Sequence, residues 1–488
     1  MADYKYGVYG TIGNDIVQNA SQAGTAPVYF GTAPVNLLSD HTGTVNVPVK
    51  ISNLSDAQKK LGHFSDSAKW GKYTLCEAVA AHFANKNGNV GPIYVINVLD
   101  PAVHKKTEKT SKSLTFANRK ATIKADDIIL SSFAIEDKVL GTDYVVDYNF
   151  GTGVLTITDK GETAMTGNVT ASYDTVDTVA VNAETVIGGT DENGKITGIA
   201  AVKLVYQTCD VIPTYLAAPG WSSTKAVYDA LVASSQNING HWCAFVYADI
   251  PVDVNKSIEA AKTWKEANGY TSGFSKVYWP MVKDGSTVYH LATLALVEKI
   301  RCDLANGDVP FETEGNKAIP VTGLYFGEGV NANGFDKSDA NELTAAGIST
   351  AIYWESNWRL WGDHTAAYTY GGGHKAREIF DVNMIMLFHI VNSFQKEWGT
   401  TIDKPMTLAL RDTILNREQE KLDVLVAKGA LIGAPSVEFI DTNNSTEDMM
   451  NGNFRWDISA TITPPLKAAT GVVCYTDAGF ISYFGGEA

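Results

Sequence analysis

The sequence has little of what marks a secreted, membrane or nucleic-acid-binding protein. Its 488 residues include only five cysteines, an odd number and widely scattered, so they indicate reduced thiols rather than a disulfide framework. No apolar run reaches the roughly 18 residues that a transmembrane helix needs. No block of lysine and arginine occurs, and the formal net charge is -15. We therefore expect no membrane insertion and no nucleic-acid partner.

Catalytic and metal-binding constellations are also missing. No G-x-S-x-G nucleophile turn occurs, although Asp363 and His364 in "RLWGDHTA" could belong to a triad on an α/β scaffold. His241 and Cys243 share one face of a predicted strand, but zinc needs a third ligand and no second pair stands at metal spacing. We predict no catalytic residue, no metal site and no cofactor. An α/β hydrolase-like enzyme that uses His364 or Asp363 stays open as an alternative.

What the sequence does contain is enough apolar residues for large cores. Apolar residues make up 45% and charged residues 19% of the chain. The stretches "WCAFVYADIP" and "KVYWP" are typical of strands buried on both faces, and "SIEAAKTWKEANGY" between them is typical of a crossover helix. Strand, helix and strand in this order predict a doubly wound α/β core.

A region without tryptophan interrupts this core. Trp70 is followed by no tryptophan until Trp221, and residues 101–195 are rich in threonine. Short alternating pieces such as "KATIKA" and "GVLTITDK" predict a small β-sandwich inserted into the core. A threonine-rich β domain also leaves a surface-layer protein or adhesin open. The absence of a signal-peptide pattern in the first residues and of paired cysteines counts against that alternative.

Both ends of the chain are predicted to be strands without an obvious partner. Tyr4, Tyr6 and Val8 alternate with other residues in "DYKYGVYG", and "GVVCYTDAGFISYF" near the other end is aromatic and β-prone. Between residues 378 and 465, two helical stretches precede "RWDISATIT". This last stretch alternates strictly, with one apolar face formed by Trp456, Ile458, Ala460 and Ile462.

The chain resembles contractile phage tail sheath proteins, a family that includes prophage-derived contractile bacteriocins. The resemblance rests on the order of several motifs: "EAVAAHFANKNGNVGPIYVINVLD", "VIPTYLAAPGWSS", "CAFVYADIP", the W-G-x-x-T element in "RLWGDHTA", "LDVLVAKGALIGAPSVEF" and "FRWDISATITPPLKAATGVV". Asp363 and His364 are a departure, because other members often differ there. The family's core has a subtilisin-like fold without protease chemistry, as the missing serine also indicates.

The resemblance implies six parts of the chain. These are an N-terminal arm (1–20), the first part of the α/β core (21–100), the inserted β-sandwich (101–195), the α/β sheath core (196–377), a C-terminal α+β domain (378–465) and a C-terminal arm (466–488). The arms would add strands to a neighbouring subunit's C-terminal domain. The predicted arm strands contain Tyr4, Tyr6, Val8, Val472, Val473 and Tyr475, the hinges are Gly7, Gly10 and Gly13, and the receiving strand contains Trp456, Ile458, Ala460 and Ile462.

The resemblance also implies function and partners. The chain would polymerise with itself as hexameric rings in a helical sleeve around a tail tube protein, between baseplate and tail terminator proteins. The sleeve would contract to drive the tube through a bacterial envelope. It would be part of the virion tail and be assembled in the cytoplasm of the bacterial host.

Overall fold

The computed structural model describes residues 24–485. Its strands are, in chain order, β1 (Pro27–Gly31), β2 (Pro48–Ile51), β3 (Ile93–Asn97), β4 (Thr110–Thr115), β5 (Lys120–Lys124), β6 (Ala134–Ile135), β7 (Tyr144–Asn149), β8 (Val154–Asp159), β9 (Asn168–Tyr173), β10 (Gly189–Thr190), β11 (Ile196–Thr197), β12 (Tyr215–Ala217), β13 (Phe245–Asp249), β14 (Ser275–Tyr278), β15 (Met281–Asp284), β16 (Thr287–Tyr289), β17 (Ala318–Ile319), β18 (Gly323–Tyr325), β19 (Ile348–Trp354), β20 (Asn357–Trp361), β21 (Leu431–Glu438) and β22 (Asp457–Ile462).

The α-helices alternate with these strands along much of the chain. They are α1 (Leu54–Leu61), α2 (Leu75–Phe83), α3 (Ala183–Ile187), α4 (Leu204–Cys209), α5 (Lys225–Ser235), α6 (Ile258–Ala267), α7 (Leu291–Ala305), α8 (Lys337–Ala345), α9 (Asp381–Trp398), α10 (Leu408–Ala427), α11 (Thr446–Met450) and α12 (Ala478–Phe484). Among residues 24–485, no helix is both long and apolar enough to cross a membrane.

A nine-stranded sheet forms the centre of the molecule. Its order is β17-β20-β19-β14-β13-β12-β1-β3-β2. The six strands from β19 to β3 are parallel, whereas β2, β20 and β17 are antiparallel to their neighbours. Every residue of β1, β3, β13 and β14 is buried. Continuous burial on both faces is the usual state of parallel strands, which are covered by helices on either side.

The two faces of the sheet pack against different helices. Val28 of β1 belongs to the same apolar cluster as Leu231 of α5. Tyr29, the next residue, points to the other face and shares a cluster with Val79 of α2 and Leu294 of α7. The alternation of side chains along a strand therefore gives three layers, helix, sheet and helix. The mixed α/β character expected from the sequence is confirmed.

The predicted β insertion forms two three-stranded antiparallel sheets. Their orders are β4-β9-β6 and β5-β8-β7. Their side chains share one continuous apolar cluster with core residues such as Tyr73. The Tyr73 hydroxyl donates to the carbonyl of Asp126 at 2.6 Å, and the Asn36 amide donates to the carbonyl of Ile128 at 2.9 Å. Composition indicated a separate unit, but the insertion and the core are packed together.

The C-terminal boundary assigned to the insertion differs from the structure. The last strand of the two sheets ends at Tyr173, and α3 instead packs against α5 and the short helical segment Gly198–Lys203 of the core. Val186 of α3 is fully buried there. Residues 183–187 therefore pack with the core, although their composition resembles that of the preceding strands.

The C-terminal region contains two long helices and a small sheet. β21 and β22 form a two-stranded antiparallel sheet, which packs against α10 and α9. Helix α9 joins this region to the core, because Met384 and Phe388 belong to the core cluster while Met386 packs with Leu422 of α10 and Leu431 of β21.

Candidate assembly site in the C-terminal region

The two-stranded sheet β21–β22 has the geometry of a strand acceptor. Its register runs from Leu431 opposite Ile462 to Glu438 opposite Asp457, with an irregularity between Ile432 and Ser436. Within residues 24–485, neither strand has a second neighbour, so each keeps one free edge. A free edge carries backbone N–H and C=O groups that can pair with a further strand. Packing against α9 and α10 supports the two strands from one face, so the edges are what an added strand would complete.

The predicted receiving strand has the expected alternation. Ile458, Ala460 and Ile462 are half-buried and pack on the cluster formed by α9, α10 and β21, whereas Ser459 and Thr461 are exposed. Trp456 lies one residue before β22, and its ring contacts Phe439 with the centroids 5.6 Å apart. The structure therefore places Ile458, Ala460 and Ile462 on the packed side of β22, whereas Trp456 lies outside the strand and contacts Phe439. Their role as receivers stays a prediction.

The predicted N-terminal arm strand and its hinges lie outside the described residues. They are Tyr4, Tyr6, Val8, Gly7, Gly10 and Gly13.

The C-terminal arm is only partly as predicted. Val472, Val473 and Tyr475 lie in a stretch without regular structure and are more than four-fifths exposed, with Val473 at 96%. The stretch "GVVCYTDAGFISYF" was expected to be β-prone throughout, but its last residues form the helix α12. The backbone N–H of Ala478 donates to the Thr476 hydroxyl at 3.2 Å, the kind of local bond that favours a helix start. The strand expectation is wrong for residues 478–484.

The C-terminal arm is held to the core at its beginning. The ammonium group of Lys467 donates to Nε2 of His364 and lies 5.0 Å from the centre of the Tyr368 ring. His364 is buried and stacked between Tyr368 and Phe380, at 3.5 and 5.2 Å between ring centres. Its Nδ1 donates to the carbonyl of Ile379 at 2.8 Å. Burial lowers the pKa of His364 to about 4, so the neutral ring can accept from Lys467.

This geometry assigns His364 to a structural contact. Both ring nitrogens are already bonded, and the carboxylate of Asp363 is 3.6 Å away, beyond hydrogen-bond distance. The W-G-x-x-T element of the sequence thus positions the start of the arm. His241 and Cys243 are not joined by further ligands: among the described residues, no group of three histidine, cysteine or acidic side chains could hold a metal.

A buried charge network connects the core to α9. The ammonium of Lys276 on β14 contacts Glu314 at 2.5 Å and Asp381 at 2.6 Å, and all three side chains are inaccessible to water. Burial lowers the pKa of Lys276, but the two carboxylates raise it further, so the lysine stays charged. Burial raises the pKa of Asp381 to about 6, against the opposing effect of Lys276. Asp381 is the first residue of α9, so the network fixes this helix to the central sheet.

A second charged cluster lies beside the carboxyl end of β13. His290 donates its backbone N–H to Glu77 at 2.6 Å, and its Nδ1 contacts the other Glu77 oxygen at 2.7 Å. Asp249 accepts from the backbone of Ala292 at 2.9 Å. Sequence reasoning missed both clusters. The buried polar residues in otherwise apolar runs, such as Lys276 in "SKVYWP", are the only signal that could have indicated them.

Comparison with known proteins gives relatives along nearly the whole chain. No family model matches it. The tail sheath protein of Burkholderia phage BcepMu is 26% identical over 467 residues, covering 90% of this chain and 90% of that protein. The tail sheath protein of Escherichia phage P2 is 25% identical over 301 residues, covering 60% of this chain and 70% of that protein.

Solved structures share the fold at lower identity. A chain of the anti-feeding prophage baseplate, solved by cryo-EM, has a TM-score of 0.55 at 14% identity, covering 97% of this chain and 99% of that one. A chain of the PVC sheath complex, an extracellular contractile injection system in the contracted state, has a TM-score of 0.54 at 14% identity, covering 98% of each chain. The resemblance stated from the motifs is confirmed: the chain is similar in sequence to phage tail sheath proteins and in fold to chains of the anti-feeding prophage baseplate and the PVC sheath complex.

Proposed function

We propose that this chain is a structural subunit of a contractile tail sheath and has no enzymatic activity. It polymerises as a helical sleeve of stacked hexameric rings around a tail tube and shortens to drive the tube through a bacterial envelope. The observation that carries this proposal is the similarity to a phage tail sheath protein along nine-tenths of the chain. Because the match covers 90% of this chain, it extends over the core, the insertion and the C-terminal region.

Strand addition between subunits supports the polymer. The free edges of β21 and β22 are open to the terminal arms of neighbouring copies, and Val472, Val473 and Tyr475 lie in an exposed segment without regular structure that could pair there. Tyr4, Tyr6 and Val8 form the corresponding strand at the other end of the chain, with Gly7, Gly10 and Gly13 as hinges. Each added strand gains backbone hydrogen bonds and covers half-buried apolar side chains.

Contraction requires subunits that move as rigid bodies while the arms keep them connected. The buried contacts of Lys276 with Glu314 and Asp381 support a rigid joint between the core and the C-terminal region. Subunits then exchange one packing for another that buries more surface, so energy is stored at assembly and no nucleotide or other cofactor is required.

The remaining partners follow from this function. A tail tube protein fills the sleeve, and baseplate and tail terminator proteins bind its two ends. The assembled sheath belongs to the virion tail and forms in the cytoplasm of the bacterial host. The core is a doubly wound, subtilisin-like fold, a proposal supported by six parallel strands with helices on both faces.

Two other functions have less support. A hydrolase that uses His364 or Asp363 needs a free base, but the ring nitrogens of His364 bond to Ile379 and Lys467. A surface-layer protein or adhesin would depend on the β insertion, which packs into the core rather than forming a separate binding module.

Negative-stain electron microscopy of the purified full chain tests the proposal. We expect hollow sleeves or cogwheel-like rings with six-fold symmetry. Monodisperse monomers at every protein and salt concentration, or turnover of a generic ester or peptide that is lost in His364→Phe, would contradict it.

A further inference from the structure

An apolar groove lies beside the small C-terminal sheet, at the outer end of the two long helices. We call it the Met–Trp groove. It has a volume of about 980 Å³. Its apolar lining includes Trp398, Ile402, Ile414, Met449, Met450 and Trp456, and the charged Asp403, Lys404 and Arg455 also line it. The apolar side chains come from α9, the connection to α10, α10 itself, α11 and the residue before β22.

The groove presents apolar side chains to water. Ile402 is 73% exposed and Met450 is 83% exposed, although both are large and uncharged. Exposed apolar side chains that line one concavity mark an interaction site more often than scattered ones do. Methionine also adapts its shape to a partner and makes favourable contacts with aromatic rings. The lining therefore suits an aromatic occupant.

Helix α12 is an aromatic segment without a cover. Phe480, Tyr483 and Phe484 are all exposed, and within the described chain their rings contact chiefly one another, as in the 6.3 Å stack of Phe480 on Phe484. Positions i, i+3 and i+4 lie on one face of a helix, which is the spacing of anchors in helix-in-groove recognition. No charged residue occurs between Ala478 and Gly485.

The helix is joined to its own subunit through an exposed, irregular connection. Lys467 fixes the start of the arm on His364, and residues 468–477 form no helix or strand before α12 begins. Fully extended, this connection spans about 33–36 Å. Such a connection lets α12 reach well beyond the point where Lys467 is held. Copies of this chain lie side by side in the proposed sleeve, and this step rests on that proposed function.

We propose that α12 of one copy docks in the Met–Trp groove of a second copy, with Phe480, Tyr483 and Phe484 as its anchors. This helical contact is additional to strand pairing by the extended part of the arm. The docking would cover both the exposed aromatic face of α12 and the exposed apolar lining of the Met–Trp groove. The occupant is thus a second copy of this chain, not a different protein.

Cross-linking between two differently marked full-length chains tests the docking. One chain carries Asn451→Cys, at the groove, and the other carries Ser482→Cys, which leaves all three rings in place. Both also carry Cys474→Ser, since this cysteine is exposed. After mixing and treatment with a bismaleimide, we expect a cross-linked heterodimer. The control replaces Asn451→Cys by Val179→Cys, which is 87% exposed on another part of the chain.

Each outcome bears on the proposal. Phe480→Ser with Phe484→Ser in the Ser482→Cys chain should reduce the heterodimer at least tenfold, and so should Met450→Glu in the partner. Heterodimer no stronger than the Val179→Cys control would overturn the docking, as would a cross-link confined within one chain that carries both cysteines. The same samples are imaged by negative-stain electron microscopy. Sleeves that form without the heterodimer cross-link would contradict only the docking. A cross-link that forms without any sleeves would support the docking and contradict the proposed function.

Discussion

Single buried ions matter most where they join two parts of the molecule. Lys276 neutralises Glu314 and Asp381 at the joint between the sheet and α9. Lys276→Met would leave the two carboxylates buried without a cation, and we expect a loss of about 3–5 kcal/mol in unfolding free energy. Lys262→Met, on a pair of surface contacts with Glu259 and Glu342, should cost only about 0–1 kcal/mol.

Chemical denaturation of the two variants beside the parent measures the difference. Equal losses from Lys276→Met and Lys262→Met would show that the buried network does not hold the joint together.

The pair of His290 and Glu77 makes stability depend on pH. Burial lowers the pKa of His290, but Glu77 and, to a smaller extent, Asp249 raise it to about 9, above its ordinary value of 6.5. The folded state therefore binds this proton more tightly than the unfolded state, and the added stability is complete below pH 6.5 and lost as the pH rises through about 9. We expect the melting temperature to fall over this range.

Thermal unfolding between those pH values, for the parent and for Glu77→Gln, checks the assignment. The variant should be less stable at the lower pH and should show a flatter dependence. A parent whose melting temperature is constant over the range would show that His290 is not stabilised in its charged form.

At the scale of elements, the strand β22 offers a test of its two faces. Ile458 faces the apolar cluster and is half-buried, whereas Ser459 is exposed. Ile458→Lys would bring a charge onto the packed face and should lower the unfolding free energy by about 1–3 kcal/mol, the range for an unpaired polar group. Ser459→Lys should have almost no effect, because its side chain lies in water. Chemical denaturation compares the two, and equal damage would contradict the alternation.

The elements differ in how far the sequence predicts them. Strands β13 and β14 lie in largely apolar stretches, and the helix α6 between them has apolar periodicity, so all three were predicted. The piece that became β5 alternates strictly and the piece that became β8 nearly so, and burial alternates along both. Local pattern was sufficient for these elements, because burial on one face or on both leaves a clear period.

Other elements depend on contacts that local pattern does not contain. Helix α12 is aromatic and β-prone in composition. It is nevertheless helical, because the Ala478 N–H bonds locally to Thr476 and no strand within the described residues pairs with this segment. Lys276 meets Glu314 and Asp381 at separations of 38 and 105 residues. Such partners are brought together only by the tertiary fold, so the joint, the His364–Lys467 contact and the Met–Trp groove could not be predicted.

At the scale of the whole molecule, the described residues form one packed body followed by an exposed C-terminal segment. The core, the insertion and α9 share buried contacts, while the arm after Lys467 leaves them and exposes its apolar side chains. The proposed N-terminal strand has the same character in sequence. In the proposed polymer such a subunit would bury these side chains, and each ring boundary would depend on the arms.

The most direct test of this account is the removal of residues 1–13 from the chain. Sedimentation and negative-stain electron microscopy, beside thermal unfolding, compare the shortened chain with the full one. We predict that the full chain forms sleeves and the shortened chain does not, while the melting temperature of the monomer is unchanged, because the proposed arm would pair with a neighbouring copy rather than with its own core. A shortened chain that is destabilised as a monomer but still forms sleeves would contradict assembly through the arms.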